Sequence, residues 1–167
     1  MNLASFVHDV PDFPKPGIVF KDITPLLAHP EAFRFAIDAL AAEARALRVE
    51  SIVAIESRGF LFGAPLAIAL GVPFVPVRKP NKLPRARLRE SYALEYGTDA
   101  LEMHEDAIAK GARVVIVDDV LATGGTARAV TSLVRRAGGD PVGALFLIEL
   151  AFLNATLDVP VRALLRY

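Results

Sequence analysis

Two acids, two glycines and two threonines fall within the nine residues Asp118-Asp119-Val120-Leu121-Ala122-Thr123-Gly124-Gly125-Thr126. Ahead of them stand Val114, Val115, Ile116 and Val117, a β-branched run of the kind found in a parallel strand covered on both faces. Behind them Val130, Leu133, Val134 and Ala137 recur at helical spacing, with Arg128, Ser132 and Arg135 on the other side. The order is strand, acidic turn, glycine loop, helix N-terminus, and at the carboxyl edge of a parallel sheet that is where ligands sit. Glycines let backbone N–H groups converge, and the helix adds unpaired N–H groups and the positive end of its dipole. A phosphate monoester fits Ala122–Thr126, with hydroxyl donors from Thr123 and Thr126. Asp118 and Asp119 would repel that phosphate, so they are expected to face sugar hydroxyls or a cation. A ribose 5-phosphate satisfies both halves; the alternative is an ordinary turn with solvated carboxylates and a threonine cap.

A second strand-to-helix turn follows the short buried strand Ser51–Ile55, where Glu56-Ser57-Arg58-Gly59 precedes an apolar helix around Phe60–Leu70. Arg58 and the N–H groups of a tight turn can hold an anion, although alone Arg58 could equally be a surface charge paired with Glu56. A third strand, Pro73–Val77, ends at Arg78-Lys79. From Lys79 to Arg89 there are five cations, no acid and two prolines, which predicts a long mobile loop of a sign suited to covering a pyrophosphate. A solvated basic loop is the alternative. Next, Tyr92, Leu94 and Tyr96 alternate with Ala93 and Glu95, Gly97-Thr98-Asp99 turns the chain, and Leu101 and Met103 alternate again, the pattern of a β-hairpin. Alternation sets Glu95 on the face opposite the tyrosines, where it could reach inward or stay in solvent.

The segment Val115–Thr126 resembles the phosphoribosyl pyrophosphate signature of the type I phosphoribosyltransferases. Pro11–Leu27, Glu56–Gly63 and Glu90–Gly97 are similar to the adenine-specific branch of that family, and the resemblance runs from about Val10 to Asn154. It implies an α/β fold: a twisted, mostly parallel sheet flanked by helices, with an N-terminal hood over about residues 1–30 and a flexible β-hairpin lid over about 79–103. It implies a pentosyltransferase of purine salvage, converting adenine and 5-phosphoribosyl 1-pyrophosphate to AMP and pyrophosphate. The implied site has Glu95, Asp118 and Asp119 in catalysis. Ser57, Arg58, Arg78, Lys79, Lys82, Tyr96 and Ala122–Thr126 hold the phosphoribosyl pyrophosphate or AMP, and Val19, Phe20 and Lys21 meet adenine. Mg²⁺ would be held mainly through the substrate's pyrophosphate, without a dedicated protein site, and the enzyme would be a homodimer. Phe152 and Leu153 fall where the family has apolar contacts to the base, while Asn154–Tyr167 is shorter than the family's usual tail.

The elements that must position these groups are legible too. Pro11, Pro14, Pro16, Gly17, Pro25 and Pro30 break the first thirty residues into an irregular arm with short extended pieces, and Phe13, Ile18, Val19, Phe20 and Ile23 make it too apolar to be a solvated tail. Pro30–Val49 reads as an amphipathic helix with Phe33, Ile37, Leu40, Ala44 and Leu47 inward. Gly138-Gly139 ends the helix after the glycine loop, Val142–Leu150 is a further buried strand containing Glu149, and Val161–Leu165 closes the sheet.

At 167 residues the chain is expected to be a single domain. Nineteen basic residues balance nineteen acidic ones, so no global field favours nucleic acid or an anionic membrane. Cysteine is absent, which excludes thiolate metal sites and suits a reducing compartment. No apolar run approaches the ~18 residues of a membrane span, and Met1–Val10 does not read as a signal peptide, so a cytoplasmic protein is expected. His8, His29 and His104 lack ligand spacing, and dinucleotide and P-loop glycine motifs are missing. The rival readings are another purine phosphoribosyltransferase, acting on hypoxanthine, guanine or xanthine, and a non-catalytic regulator that senses phosphoribosyl pyrophosphate.

Overall fold

The computed structural model describes residues 1–93 and 97–167. The chain begins with a 3₁₀ turn and the antiparallel pair β1 (His8–Pro11) and β2 (Val19–Asp22), which form the hood. There follow α1 (Thr24–Ala28), α2 (Pro30–Ala46), β3 (Ser51–Ile55), α3 (Gly59–Leu70) and β4 (Phe74–Val77). An antiparallel hairpin, β5 (Arg87–Ala93) and β6 (Thr98–His104), precedes β7 (Arg113–Leu121), α4 (Gly125–Arg136), β8 (Asp140–Glu149) and β9 (Val161–Arg166). Among the described residues no helix is long and apolar enough to cross a membrane.

Five strands pair in parallel in the order β4-β3-β7-β8-β9. The order reverses between β3 and β7, and the crevice at such a switch point, outside the carboxyl ends of the strands, is where open α/β sheets take ligands. Two cores sandwich the sheet. Val115, Val117, Ile52 and Ala54 pack with Leu40, Phe62 and Leu66 of α2 and α3, whereas Val114, Ile116 and Val53 pack with Leu101 and Met103 of the hairpin and Val130 and Leu133 of α4. Alternation from Val114 to Val117 therefore carries every second residue to each layer. The helical and strand periods read from the sequence match this arrangement, including the inward positions Ile37, Leu40 and Ala44 of α2.

Three expectations are corrected. The strand does not end at the acids: β7 continues through Asp118 and Asp119 to Leu121, paired there with β8, so both carboxylates sit on a strand and not in a turn. The basic segment is shorter than the loop expected, because Arg87, Leu88 and Arg89 already belong to β5. It is also tied down, with Leu83 buried and the backbones of Arg78 and Glu102 exchanging hydrogen bonds of 2.9 and 2.7 Å. Thr98 and Asp99, expected in the turn, belong to β6 and pair with Ala93 and Tyr92. Leu94, Glu95 and Tyr96 lie outside the described residues.

Candidate active site

β7 outruns β3: the last shared pair is Ala54 with Val117, and the next two residues of β7 overhang the turn Glu56–Arg58. Asp119 follows Val115 and Val117 toward α3, and its Oδ2 makes an ion pair of 2.7 Å with Arg58 Nε while the side chain is 5 % exposed. Asp118 faces the opposite way and lines the hollow before α4. Its Oδ1 accepts the Asp119 N–H at 2.9 Å. Burial, then the neighbouring Asp119 charge, pushes the Asp118 carboxyl well above the usual range. Burial also raises Asp119, against the pull of Arg58.

Gly59 lets the two turns meet. A Cβ there would lie 2.8 Å from the Val117 carbonyl oxygen and 2.9 Å from Asp118 Oδ1, so only glycine allows the start of α3 to lie against the acid pair. The result is a cleft of about 400 Å³ walled by Ser57, Arg58, Lys79, Tyr92, Asp118, Asp119 and Thr126.

Beyond Asp118 the chain forms a hollow of about 80 Å³ from Ala122, Thr123, Gly124, Gly125 and Thr126. Gly124 stands at φ +83° before the first residue of α4, a left-handed conformation that favours glycine. The first-turn N–H groups of α4 have no intrahelical acceptor, and together with the dipole they make the hollow a site for an anion.

The hood reaches the same edge. Arg58 lies 5.0 Å from the Phe20 ring centroid, and Phe13 meets Phe20 edge-on at 5.3 Å, so a single guanidinium connects the hood's aromatic pair to Asp119. Val19 is half exposed. Lys21 points elsewhere: its ammonium donates to Asp9 Oδ1 at 2.6 Å and lies 3.9 Å over the Tyr167 ring, which leaves its backbone as the part available to a base.

A family model described as the phosphoribosyl transferase domain matches residues 24–155. The adenine phosphoribosyltransferase of Gloeobacter violaceus is 57% identical over 160 residues, covering 96% of this chain and 94% of that protein. The crystal structure of the enzyme of that name from Thermoanaerobacter pseudethanolicus superposes with a TM-score of 0.96 at 50% identity, covering 99% of this chain and 98% of the other. This chain belongs to the adenine phosphoribosyltransferase family. The Saccharomyces cerevisiae member, solved with adenine and an imino-altritol bisphosphate, matches at TM-score 0.94 and 43% identity over 97% of this chain and 96% of its own.

Of the cations expected at a family pyrophosphate site, Lys79 lines the cleft, whereas Arg78 and Lys82 converge on Glu56. Lys82 Nζ donates to Glu56 Oε1 at 2.5 Å, and Arg78 Nε and the Lys79 N–H donate to Oε2 at 3.2 and 2.9 Å. Burial pushes the Glu56 carboxyl up, but Lys82, the Lys79 N–H and Arg78 outweigh it and hold it at about 2. The alternative in which Arg58 is a surface charge paired with Glu56 is not what the structure shows: Arg58 pairs with Asp119, and Glu56 anchors the basic segment. Glu102 was missed as well. It is 2 % exposed, accepts the Asn81 N–H at 2.9 Å and pairs with Arg87 at 3.0 Å, clasping both ends of the segment. An acid in phase with the solvent side of an alternating strand carries no sequence signal of burial. Glu149 pairs with Arg166 at 3.5 Å, and Phe152 and Leu153 are exposed. Glu95 and Tyr96 fall outside the described residues.

Proposed function

We propose that the protein transfers the 5-phosphoribosyl group of 5-phosphoribosyl 1-pyrophosphate to adenine, giving AMP and pyrophosphate in purine salvage. One observation carries the reading: an acid pair, Asp119 buried and Asp118 partly so, and a helix-start anion cradle lie side by side at the switch point of a parallel sheet. The family supports the choice of base, since the yeast relative was solved in complex with adenine.

In this reading Ala122–Thr126 anchors the 5′-phosphate, and Asp118 and Asp119 hold the ribose hydroxyls. As the anomeric C–O bond breaks, positive charge grows on the ribose ring and negative charge on the departing pyrophosphate. The acids favour the first and Lys79, at the cleft wall, the second. An adenine ring nitrogen takes the anomeric carbon and gives up its proton, for which Glu95 is the acceptor assigned from the family. Remote binding of the phosphate aligns these atoms, and the hood, with Val19, Phe20 and the Lys21 backbone, positions the base against Arg58. Ser57, Arg78, Lys82 and Tyr96 complete the pyrophosphate side.

Mg²⁺ keeps much of its water and takes one or two carboxylates plus substrate phosphates. The donor set fits that mode: two adjacent acids stand at the cleft, and among the described residues no three acids or histidines converge. When bound, the ion would neutralise charge on the leaving group, with Asp118 and Asp119 the residues at hand to hold its water. We further propose that residues 1–167 act as one domain within a homodimer, and that the enzyme works in the cytoplasm, which suits a chain without cysteine.

The test is a base panel: purified protein with Mg²⁺ and phosphoribosyl pyrophosphate is given adenine, hypoxanthine, guanine, xanthine or orotate, and nucleotide is measured. Product from adenine alone is expected. Product from another base instead would overturn the hood assignment, and phosphoribosyl pyrophosphate binding without any product would favour a sensor.

A further inference from the structure

Lys79 lines the cleft, and its charge is already taken. Its ammonium contacts Asp99 Oδ2 directly, and the Tyr92 hydroxyl stands 3.4 Å from Nζ and donates to the same carboxylate oxygen at 3.2 Å. Tyr92 and Asp99 are cross-strand partners in the hairpin, so the sheet register holds the carboxylate where Lys79 ends. Nothing in the chemistry above uses Asp99.

The two acids that hold the basic segment do different work. Glu56, 11 % exposed, takes the Lys79 N–H with Arg78 and Lys82, and so fixes backbone and flanking cations. Asp99 takes only the ammonium that faces the cleft, and both members of that pair are partly open to solvent, at 39 % and 27 % exposure. A single carboxylate partly open to solvent is a weak partner, and a multiply charged pyrophosphate at the cleft wall offers the same ammonium a stronger one.

We propose that Asp99 is a built-in competitor for pyrophosphate, a positioning residue that acts through Lys79: it keeps the ammonium at the cleft wall, yields it to the leaving group and reclaims it as pyrophosphate departs. The proposal rests on the reading of this cleft as the pyrophosphate site. Binding of the pyrophosphate moiety is weakened by the exchange, and its release is helped. The Tyr92 hydroxyl, left with Asp99, keeps the carboxylate poised for return.

Titration of the full chain with magnesium pyrophosphate, and separately with AMP, tests this. Asp99→Asn keeps the shape and removes the charge. It is expected to tighten pyrophosphate about two- to fivefold, to strengthen product inhibition by pyrophosphate equally, and to leave AMP affinity unchanged. Tyr92→Phe, which loosens Asp99, should move pyrophosphate affinity the same way by less. In a Lys79→Ala background the Asp99→Asn effect should vanish. If Lys79→Ala weakens pyrophosphate but Asp99→Asn leaves it unchanged or weaker, the competitor role is overturned and the site stands. If Lys79→Ala binds pyrophosphate like the wild type, the site assignment itself fails, and the proposal with it.

Discussion

Arg58 Nε lies 2.7 Å from Asp119 Oδ2, so the cation assigned to an incoming anion is held by one of the two acids assigned to the sugar. The guanidinium also stands against Phe20, so Asp119 orients the residue that meets the hood as well as the ribose hydroxyls. Asp119→Asn is expected to lower turnover by two orders of magnitude or more, since it weakens transition-state charge stabilisation of the kind worth about 10²–10³ in rate. Its melting temperature should hold or rise, because Asp119 is buried beside a second carboxylate. Unchanged turnover would remove Asp119 from the ribose site.

Asp118 binds its proton more tightly folded than unfolded, because of burial first and Asp119 second. That stabilisation is fully present below the ordinary value of 3.8 and is lost as the pH rises through the raised folded value. Wild-type protein should therefore lose stability toward neutral and alkaline pH, and Asp118→Asn should not. Thermal unfolding at pH 5 and pH 8 checks this: the variant's advantage should be larger at pH 8, each kcal/mol appearing as roughly 2–4 °C.

Glu56 behaves in the opposite sense. Its carboxyl is depressed from 4.5 to about 2, so its contribution is complete above 4.5 and fades as the pH falls toward 2. Glu56→Gln should cost about 2 kcal/mol at neutral pH after allowance for its solvent-exposed partners, or roughly 4–8 °C of melting temperature. The gap should narrow in acid. The KM for phosphoribosyl pyrophosphate should rise at the same time, because the segment carrying Lys79 loses its anchor.

Gly59→Ala places a methyl group against the Val117 carbonyl and the Asp118 carboxylate. Overpacking of this kind costs about 1–3 kcal/mol. The turn must move away from β7, so kcat should fall along with stability. Full activity in the alanine variant would show that the contact between the two turns is dispensable.

Glu95→Leu should mainly lower kcat if Glu95 accepts the adenine proton. Steady-state kinetics with adenine varied would reveal a change confined to KM, which would assign Glu95 to placing the base without moving a proton.

The apolar run Val114–Val117, the helical period after Gly125 and the glycines themselves made the sheet edge legible, because each reflects a local constraint on one element. The partners of the charges were not legible. Arg58 belongs to Asp119 because β7 outruns β3, and that length difference is set by strand pairing. Arg78, Lys82 and Lys79 read as a free basic surface, yet acids from β3's end and from β6 take them. Those acids lie about twenty residues or more away in sequence: Glu56 meets its cations through the β3–β4 pairing, and Asp99 meets Lys79 through the hairpin beside β4.

Adjacent residues of β7 face opposite layers, so Asp118 and Asp119 reach their shared cleft from opposite sides of one strand, Asp118 extending to the hollow before α4 and Asp119 to Arg58. Inserting or deleting a single residue between Val114 and Asp118 would exchange their faces, sending the Arg58 partner toward α4 and the other acid toward the hood. Every atom type would survive such a frameshift within the strand, and the site would not. Substitutions among the valines ahead of the acids are thus far better tolerated than any change in their number, while length changes in the segment between β8 and β9 leave this phase untouched.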